Sequence, residues 1–274
     1  FEPIRVEDSV RIAPYFYRRP NKTCDSCALD SYLWAEYCDT RIAEWEDKAL
    51  FILMEKDGEQ YTATPYCDEE DLPQYFDLIK DYFNQVLKKP LKIYLADEEA
   101  VKYLHLEEDP RFIVREEEDY KDYLYDAEEL HRVKEEGNGE ETLEYEIKGI
   151  HEVLQNCFAI DHYIGGIFID GKLEAFSIGA YNPREEMASI SIEKGNPNVP
   201  GIYQVINQEF LIHEFPQAKL VNREDDMGLQ GLRKAKESYN PIGFARKYMV
   251  LQKDFQGYEK YLTDKYEEEV EDYE

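Results

Sequence analysis

The segment from Asn222 to Phe244 concentrates residue types that could carry out acyl transfer. Its acids precede its bases, and a tyrosine and a Gly-Phe pair follow: Glu224, Asp225, Asp226, Arg233, Lys234, Lys236, Tyr239, Gly243 and Phe244. Carboxylates and tyrosine hydroxyls can transfer protons, and arginine or lysine can bind a phosphate or carboxylate. The segment therefore predicts a candidate acyl-transfer site.

Two interpretations of these residues are open. In the catalytic one, Tyr239 is the general acid, and Asp226 or Glu224 orients the donor or accepts a proton. The basic side chains then bind an anionic group of the donor: Arg233, Lys234 and Lys236. In the structural one, Asp225 or Asp226 caps a helix from Leu229 to Tyr239, because acids suit the start of a helix and cations its end. Tyr239 would then be a packed residue at the end of that helix.

A second candidate anion site lies at the start of another predicted helix. Gly201 follows the loop Asn196–Pro200 and begins a helix that runs to about His213. The first N–H groups of a helix are available to an anion. Tyr203, one turn into the helix, could line that site or face the core. An oxyanion donor is expected from a backbone N–H of the predicted strand Met187–Ile192.

The composition limits the classes of partner. With 61 acids against 32 bases, the formal net charge of the 274 residues is −29. Such a charge disfavours DNA and confines any RNA contact to a local basic patch. The five cysteines include one CxxC, Cys24–Cys27, without a second ligand pair. We therefore expect reduced thiols, no metal and no cofactor.

The ends and the hydropathy of the chain bear on its location. No apolar run reaches the roughly 18–20 residues of a transmembrane helix, and no secretion signal opens the sequence, so a soluble, cytoplasmic protein is expected. The first residue is Phe1 rather than methionine. Residues are therefore expected to be missing upstream.

The order of elements indicates two related α+β units. Ala49–Met54 and Gln60–Thr64 flank Asp57-Gly58, and Gly166–Ile169 and Leu173–Ile178 flank Asp170-Gly171. Such pairs predict β-hairpins with type I′ turns. A helix, a strand, a helix and a strand follow each hairpin, which predicts an internal repeat. Asp97 is expected to cap a short helix, the first ~45 residues are predicted to be helical, and Phe244–Leu251 is predicted to be the last strand.

The end of the Asn222–Phe244 segment resembles a known fold family. Tyr239-Asn-Pro-Ile-Gly243-Phe244 is similar to the Tyr-x-x-x-Gly-Phe ending of the penultimate helix in GCN5-related N-acetyltransferases (GNAT), where the tyrosine is often the acid. That resemblance implies a pyrophosphate-binding loop before Gly201. Here Lys194–Gly201 lacks the paired glycines and contains prolines, which lack N–H donors. Tight binding of acetyl-coenzyme A is therefore not expected.

A closer resemblance covers most of the chain. Asn222–Pro241 is similar to a signature of bacterial proteins related to the C-terminal domain of phosphatidylglycerol lysyltransferase, and Gly201–Phe210, Thr23–Asp25 and Tyr32–Trp34 also resemble it. The resemblance implies an α+β fold of two tandem GNAT-like mixed α/β units, akin to Fem-type peptidyltransferases that take aminoacyl groups from tRNA. We expect one unit at residues 1–125, one at 126–254, a connection near 116–145 and an acidic tail at 255–274.

The resemblance implies an acyl- or aminoacyltransferase that uses an activated donor. Related proteins carry a basic stretch after a segment like Tyr123–Leu130, whereas here Leu130 runs directly into His131. If that stretch exists in a longer protein, it is the expected contact for tRNA. The alternative is a non-catalytic acidic binding protein that retains the fold.

Overall fold

The computed structural model describes residues 1–130 and 143–261. Residues 131–142 of the connection predicted near 116–145, and the tail from residue 262, lie outside the described residues. So does the junction after Leu130 at which the basic stretch was expected.

Within residues 1–130 the structure has eight strands and five helices. The strands are β1 (Glu2–Pro3), β2 (Arg41–Trp45), β3 (Ala49–Lys56), β4 (Glu59–Thr62), β5 (Tyr66–Cys67), β6 (Lys92–Asp97), β7 (Phe112–Glu116) and β8 (Asp122–Asp126). The helices are α1 (Ser9–Phe16), α2 (Ala28–Leu33), α3 (Leu72–Asp81), α4 (Glu98–Tyr103) and α5 (Ala127–Leu130). A π-helical turn, Tyr82–Leu87, extends α3. It ends at Leu87, and Lys88 follows it with a left-handed φ of 57°.

Within residues 143–261 the structure has three helices and six strands. The helices are α6 (Leu143–Gln155), α7 (Ile202–Glu214) and α8 (Gln230–Ser238). The strands are β9 (Tyr163–Ile169), β10 (Lys172–Asn182), β11 (Met187–Gly195), β12 (Leu220–Asn222), β13 (Gly243–Ala245) and β14 (Lys247–Gln252).

Both predicted hairpins are present. Asp57 and Gly58 connect β3 to β4 with φ of 54° and 80°, and Asp170 and Gly171 connect β9 to β10 with φ of 50° and 79°. Positive φ at both central positions is the type I′ geometry that the Asp-Gly pairs predict. The predicted cap of α4 is also present, since the Asp97 carboxylate accepts a hydrogen bond from the Ala100 N–H at 3.0 Å.

The strands form two mixed sheets in the described part of the chain. The first has eight strands in the order β1-β2-β3-β4-β6-β14-β7, with β5 paired to β3, and the second has six in the order β13-β8-β12-β11-β10-β9. In each sheet a run of antiparallel strands leads, through a helix, to a parallel neighbour. α3 lies between the parallel pair β4 and β6, and α7 between β11 and β12. The predicted α+β architecture is therefore present in both sheets.

The two sheets exchange their last strands. β14, which follows the elements of the second sheet, lies between β6 and β7 of the first. β8, which follows the elements of the first sheet, lies between β12 and β13 of the second. The predicted unit boundary between residues 125 and 126 thus falls within β8. The prediction of a single strand over Phe244–Leu251 is wrong, because the chain leaves the second sheet at Ala245 and enters the first at Lys247.

A shared apolar core also joins the sheets. Leu29 and Leu33 of α2 pack in one cluster with Val153 of α6 and with Ile178 and Ile192 of the second sheet. Each such side chain contributes roughly 1.5–3 kcal/mol of stability when fully buried.

The prediction of helix throughout the first ~45 residues is wrong for Arg41–Trp45, which is strand β2. Tertiary pairing with β3 decides this stretch, because short apolar–polar runs do not distinguish helix from strand.

Candidate functional site

The acids before α8 do not cap it. The cap position is Leu229, and Asp226 instead accepts a hydrogen bond from the Gly228 N–H at 2.9 Å within the preceding loop. Gly228 has a φ of 72°, and a Cβ there would lie 2.9 Å from the Asp119 carboxylate. The predicted capping by Asp225 or Asp226 is therefore wrong, although the predicted helix is present over Gln230–Ser238.

Asp226 and Arg233 form a two-point ion pair. Arg233 Nε lies 2.7 Å from Asp226 Oδ2, and Nη2 lies 2.9 Å from Oδ1. Asp226 is 1% exposed and also accepts the Tyr123 hydroxyl at 2.6 Å. Burial alone would raise the pKa of Asp226, but the bonds from Arg233 and Tyr123 outweigh it and lower that pKa. Asp119 contacts the outer side of Arg233 at 3.0 Å, so this guanidinium is engaged by protein carboxylates.

The two lysines of α8 have different surroundings. Lys234 is exposed. Lys236 is partly buried, and its ammonium donates to the carbonyl oxygens of Arg223 and, at 2.6 Å, of Asp225. Burial lowers the pKa of Lys236, and the nearby Glu224 carboxylate opposes that shift. Lys236 therefore holds the loop before α8 and brings a positive charge close to Glu224.

Tyr239 closes α8 inside an aromatic cluster. Its ring is 3% exposed, lies edge-on to Tyr125 at 6.0 Å and has the Arg223 guanidinium 4.5 Å from its centre. The Tyr125 hydroxyl donates to the Lys236 carbonyl at 2.8 Å, which ties the same helix end to β8. This position supports a packing role for the ring. The catalytic role of the hydroxyl stays a prediction.

The start of α7 is the second predicted site. Gly201 precedes the helix with a φ of 80°, and the Ile202 N–H donates to the Val199 carbonyl at 3.2 Å. The Tyr203 hydroxyl donates to the Gly195 carbonyl at 3.0 Å, closing the loop on β11. A loop that uses these donors internally is consistent with weak phosphate binding there.

β11 and β12 pair over three residues, and the pairing stops where β12 ends. Ser189 pairs with Asn222, and β11 continues to Gly195 beyond the end of β12. The register of β11 on β10 slips at this level, so that Ser191 lies opposite neither neighbouring strand. Arg223 crosses the gap to Glu193 at 2.8 Å, with both side chains about one-tenth exposed. The bulge at Ser191 lies within the strand predicted to supply an oxyanion donor.

A polar cluster between the sheets is the main feature that the sequence did not predict. Lys247, at the start of β14, is 1% exposed, and its ammonium lies 2.9 Å from Asp122 Oδ1, 3.0 Å from Asp25 and 3.2 Å from Cys24 Sγ. Asp122 is fully buried and accepts the Cys24 N–H at 2.6 Å and the Asn222 side-chain amide at 3.0 Å. Burial by itself lowers the pKa of Lys247, but Asp122 and Asp25 outweigh it and raise that pKa.

Two carboxyl groups face each other beside this cluster. One oxygen of Asp30, one of Glu224 and Cys24 Sγ all lie within 4.8 Å of one another. Among the residues that the structure describes, Glu224 Oε1 is buried without a hydrogen-bond partner. Burial, and then the charge of Asp30, raise the pKa of Glu224 well above its usual value. Burial, and then Asp25, do the same for the pKa of Asp30.

A groove of about 270 Å³ lies next to the cluster. Thr23, Leu124 and Arg246 line it, close in sequence to Cys24, Asp122 and Lys247. Its remaining lining residues come from both sheets, from the start of α4 and from the loops before α2 and β13: Asn21, Lys22, Asp97, Glu98, Glu99, Leu220, Ile242, Gly243, Phe244 and Ala245. Tyr239 and Arg233 are not among its lining residues. The groove therefore adjoins the inter-sheet cluster rather than the aromatic cluster.

Among the predicted site residues that the structure describes, only Glu224 lies at the inter-sheet cluster, where its carboxyl group faces that of Asp30. Asp226 and Arg233 neutralise each other, Lys236 supports the loop, Tyr239 is packed, and Gly201 and Tyr203 lie at the start of α7. The signal that could have identified the cluster is a charged residue in an apolar strand, since Lys247 precedes the run Tyr248–Leu251. A lysine in such a position is seldom buried without a partner.

The comparisons with known proteins agree with this architecture. Residues 133–251 match the family model described as phosphatidylglycerol lysyltransferase, C-terminal. No curated protein sequence matches the chain. Matching solved structures include a conserved protein of unknown function from Bacteroides thetaiotaomicron, at 22% identity and a TM-score of 0.81, covering 92% of this chain and 99% of that one.

Two further structures carry the name of the same enzyme family. The C-terminal domain (DUF2156) of a protein assigned as a lysylphosphatidylglycerol synthetase from Agrobacterium fabrum is 14% identical, with a TM-score of 0.59 and coverage of 94% and 95%. L-PGS from Bacillus licheniformis is 13% identical, with a TM-score of 0.60 and coverage of 92% and 93%. At these identities the likeness concerns the fold.

The chain is thus an α+β protein whose fold is similar to that of the lysylphosphatidylglycerol synthetase C-terminal domain. The resemblance predicted from Asn222–Pro241 is confirmed. None of the helices in residues 1–130 and 143–261 has the length and apolar character needed to cross a bilayer.

Proposed function

We propose that the protein is an aminoacyltransferase that takes an aminoacyl group from an activated ester or thioester donor. The observation that carries the proposal is the facing pair of Asp30 and Glu224, with Cys24 Sγ in the same 4.8 Å space. Ionising both of two carboxyl groups this close is unfavourable, and a cation between them removes that penalty. The ammonium of an aminoacyl group is a cation of suitable size, whereas a neutral acyl group offers none.

The charges around the pair favour an external cation. Asp25, Asp122 and Asp225 all raise the pKa of Asp30, and Lys247 opposes them. Lys236 opposes the acids around Glu224, but its ammonium is already bonded to two carbonyl oxygens. An incoming ammonium would displace the protons that otherwise neutralise the pair and would make charge-assisted hydrogen bonds to it.

The proposed reaction needs no protein nucleophile. The acceptor amine or hydroxyl attacks the carbonyl carbon of the donor, the new C–N or C–O bond forms, and the bond to the tRNA oxygen or thioester sulfur breaks. The proton of the acceptor goes to a carboxylate, for which Glu224 is the proposed base. Asp226 is a weaker choice, because Arg233 and Tyr123 hold its oxygens. The hydroxyl of Tyr239 is the proposed source of the proton for the leaving group.

The remaining predicted residues take supporting parts in this proposal. A backbone N–H at the Ser191 bulge is the proposed donor to the developing oxyanion. Lys234, exposed on α8, is the basic residue of that helix best placed to meet an anionic donor, and Arg233 can do so by opening its contact with Asp119. A donor tRNA would need a basic surface, and the segment proposed for it lies outside the described residues.

The test compares charged and neutral donors. Purified full-length protein is given aminoacyl-tRNA and N-acetylaminoacyl-tRNA with a primary amine acceptor, and loss of the ester is followed. We expect the free aminoacyl donor to be consumed, the acetylated one to react at least ~10²-fold more slowly, and Glu224→Gln and Asp30→Asn to lose a similar factor. Glu237→Gln, an exposed acid of α8, is the matched control and should keep the parent rate.

A negative result in this assay distinguishes the transferase from the non-catalytic binding protein. If neither ester is consumed, and an aminoacyl thioester given in the same assay is not consumed either, the transferase proposal fails and the non-catalytic acidic binding protein takes its place. If both donors react equally, transfer stands but the carboxyl pair does not bind the ammonium.

A further inference from the structure

We propose that Lys247 is a positioning residue: a fixed internal cation that locks the exchanged strand β14 to the second sheet and holds Glu224 and Asp30 in place. The inference rests on the proposed function for its consequence in transfer, but its physical content can be measured without any donor. It is carried by the chain of contacts that begins at the Lys247 ammonium.

That chain reaches Glu224 in three contacts. Lys247 Nζ lies 2.9 Å from Asp122 Oδ1, and Asp122 Oδ2 accepts the side-chain amide of Asn222 at 3.0 Å. Asn222 Oδ1 in turn accepts the Glu224 N–H at 2.7 Å. Glu224 has a φ of 58°, a conformation that non-glycine residues seldom adopt without such a contact. Lys247 therefore sits at the start of the network that sets the Glu224 backbone.

A second branch of the network holds the segment that precedes Asp30. Lys247 Nζ contacts Asp25 at 3.0 Å and Cys24 Sγ at 3.2 Å, and Asp122 accepts the Cys24 N–H at 2.6 Å. Cys24 Sγ lies within 4.8 Å of the facing carboxyl oxygens. The ammonium is thus enclosed by two carboxylates and a thiol, next to a similar arrangement of two carboxyls and the same thiol.

The two arrangements differ in their occupant. Lys247 fills the first from within the chain, and its charge partly offsets the acids around Asp30. Asp25, Asp122, Asp225 and Lys247 act on the pKa of Asp30, while Asp30 and Lys236 act on the pKa of Glu224. The thiols of Cys24 and Cys27 also interact with Asp30. Removing the Lys247 charge should make Asp30 harder to ionise, in addition to loosening the contacts between the sheets.

The experiment follows the Asp30 carboxyl carbon by NMR with selectively labelled aspartate, assigned by its loss in Asp30→Asn. In Lys247→Met we expect the titration midpoint of Asp30 to rise by about one pH unit or more relative to the parent, while Lys247→Arg keeps the parent value. Lys234→Met removes an exposed lysine and should leave the midpoint unchanged. A loss of packing alone would not move one carboxyl in this way.

A second variant, Lys247→Ala, keeps the proposal testable if Lys247→Met does not fold. Lys247→Ala removes the part of the side chain that n-propylammonium reproduces, so this ion should restore the melting temperature of that variant, and n-propanol should not. An unchanged Asp30 midpoint in folded Lys247→Met, or equal effects of the ion and the alcohol on Lys247→Ala, would overturn the proposal. If wild type transfers nothing while these two results hold, the proposed function fails and the positioning role stands.

Discussion

Arg233 donates two hydrogen bonds, of 2.7 and 2.9 Å, to the Asp226 carboxylate, and the Tyr123 hydroxyl donates to the same carboxylate at 2.6 Å. This relationship joins α8 to β8, the strand that the first unit contributes to the second sheet. One acid and one base of the segment that is conspicuous in sequence, Asp226 and Arg233, are thus paired with each other. Their pairing gives the first prediction.

Arg233→Ala is expected to lower the free energy of unfolding by about 1.5–3 kcal/mol, because a hydrogen-bonded charge partner of the buried Asp226 is lost. Urea denaturation at neutral pH measures the change. Lys234→Ala, one residue away and exposed, should stay within about 0.5 kcal/mol of the parent. Equal effects of the two substitutions would mean that the pair does not stabilise the fold.

Tyr239→Phe tests the predicted general acid. The substitution keeps the ring against Tyr125 and Arg223, so the melting temperature should change little, whereas loss of the hydroxyl should lower the transfer rate roughly 10²–10⁴-fold. The matched control is Tyr125→Phe, which removes the bond to the Lys236 carbonyl and should cost about 0.5–1.5 kcal/mol of stability instead. Transfer at the parent rate by Tyr239→Phe would make Tyr239 a packing residue only.

Acetyl-coenzyme A is expected to bind weakly. The loop before α7 contains prolines, its Ile202 N–H and Tyr203 hydroxyl are used within the protein, and the Arg223–Glu193 pair crosses the gap between β11 and β12. Calorimetry with the full-length protein measures the affinity. A dissociation constant at or below ~10 μM, about −7 kcal/mol, would contradict this prediction.

Asp225→Asn should change how stability depends on pH. Burial is the main cause that raises the pKa of Asp225 to about 6, above the value of about 3.9 in an unfolded chain. Between about pH 4 and pH 6 the folded protein therefore binds more protons than the unfolded one, and the contribution of Asp225 to stability falls as the pH rises. In the asparagine variant the side chain at position 225 does not titrate, so its contribution to stability does not fall as the pH rises.

Urea denaturation at about pH 4 and pH 8 measures that difference. The free energy of unfolding of Asp225→Asn minus that of wild type should be larger at about pH 8 than at about pH 4, by of order 1–3 kcal/mol. The charge of Asp225 also raises the pKa of Asp30 and of Glu224, so its removal weakens those shifts as well and changes stability in the same direction. A difference that is the same at both pH values would mean that Asp225 titrates normally.

The sequence by itself determined the features that depend on local chemistry. The Asp57-Gly58 and Asp170-Gly171 pairs specify their turns because both residues must adopt positive φ. Asp97 caps α4 with its own carboxylate. The Asn222–Pro241 motif was enough to predict the family resemblance and the α+β class. Each of these signals lies within a short stretch of chain, so no knowledge of distant partners was needed.

The tertiary structure decided which side chains meet. The exchange of β8 and β14 brings Asp122 and Lys247, 125 positions apart in the numbering, to 2.9 Å. It also divides Phe244–Leu251 between two sheets and sets Asp30 opposite Glu224. The same motif that predicts α8 cannot indicate that Arg233 turns back to Asp226 while Glu224 turns to another element. Such pairings follow from strand order and burial, which depend on contacts across the whole chain rather than on any local pattern.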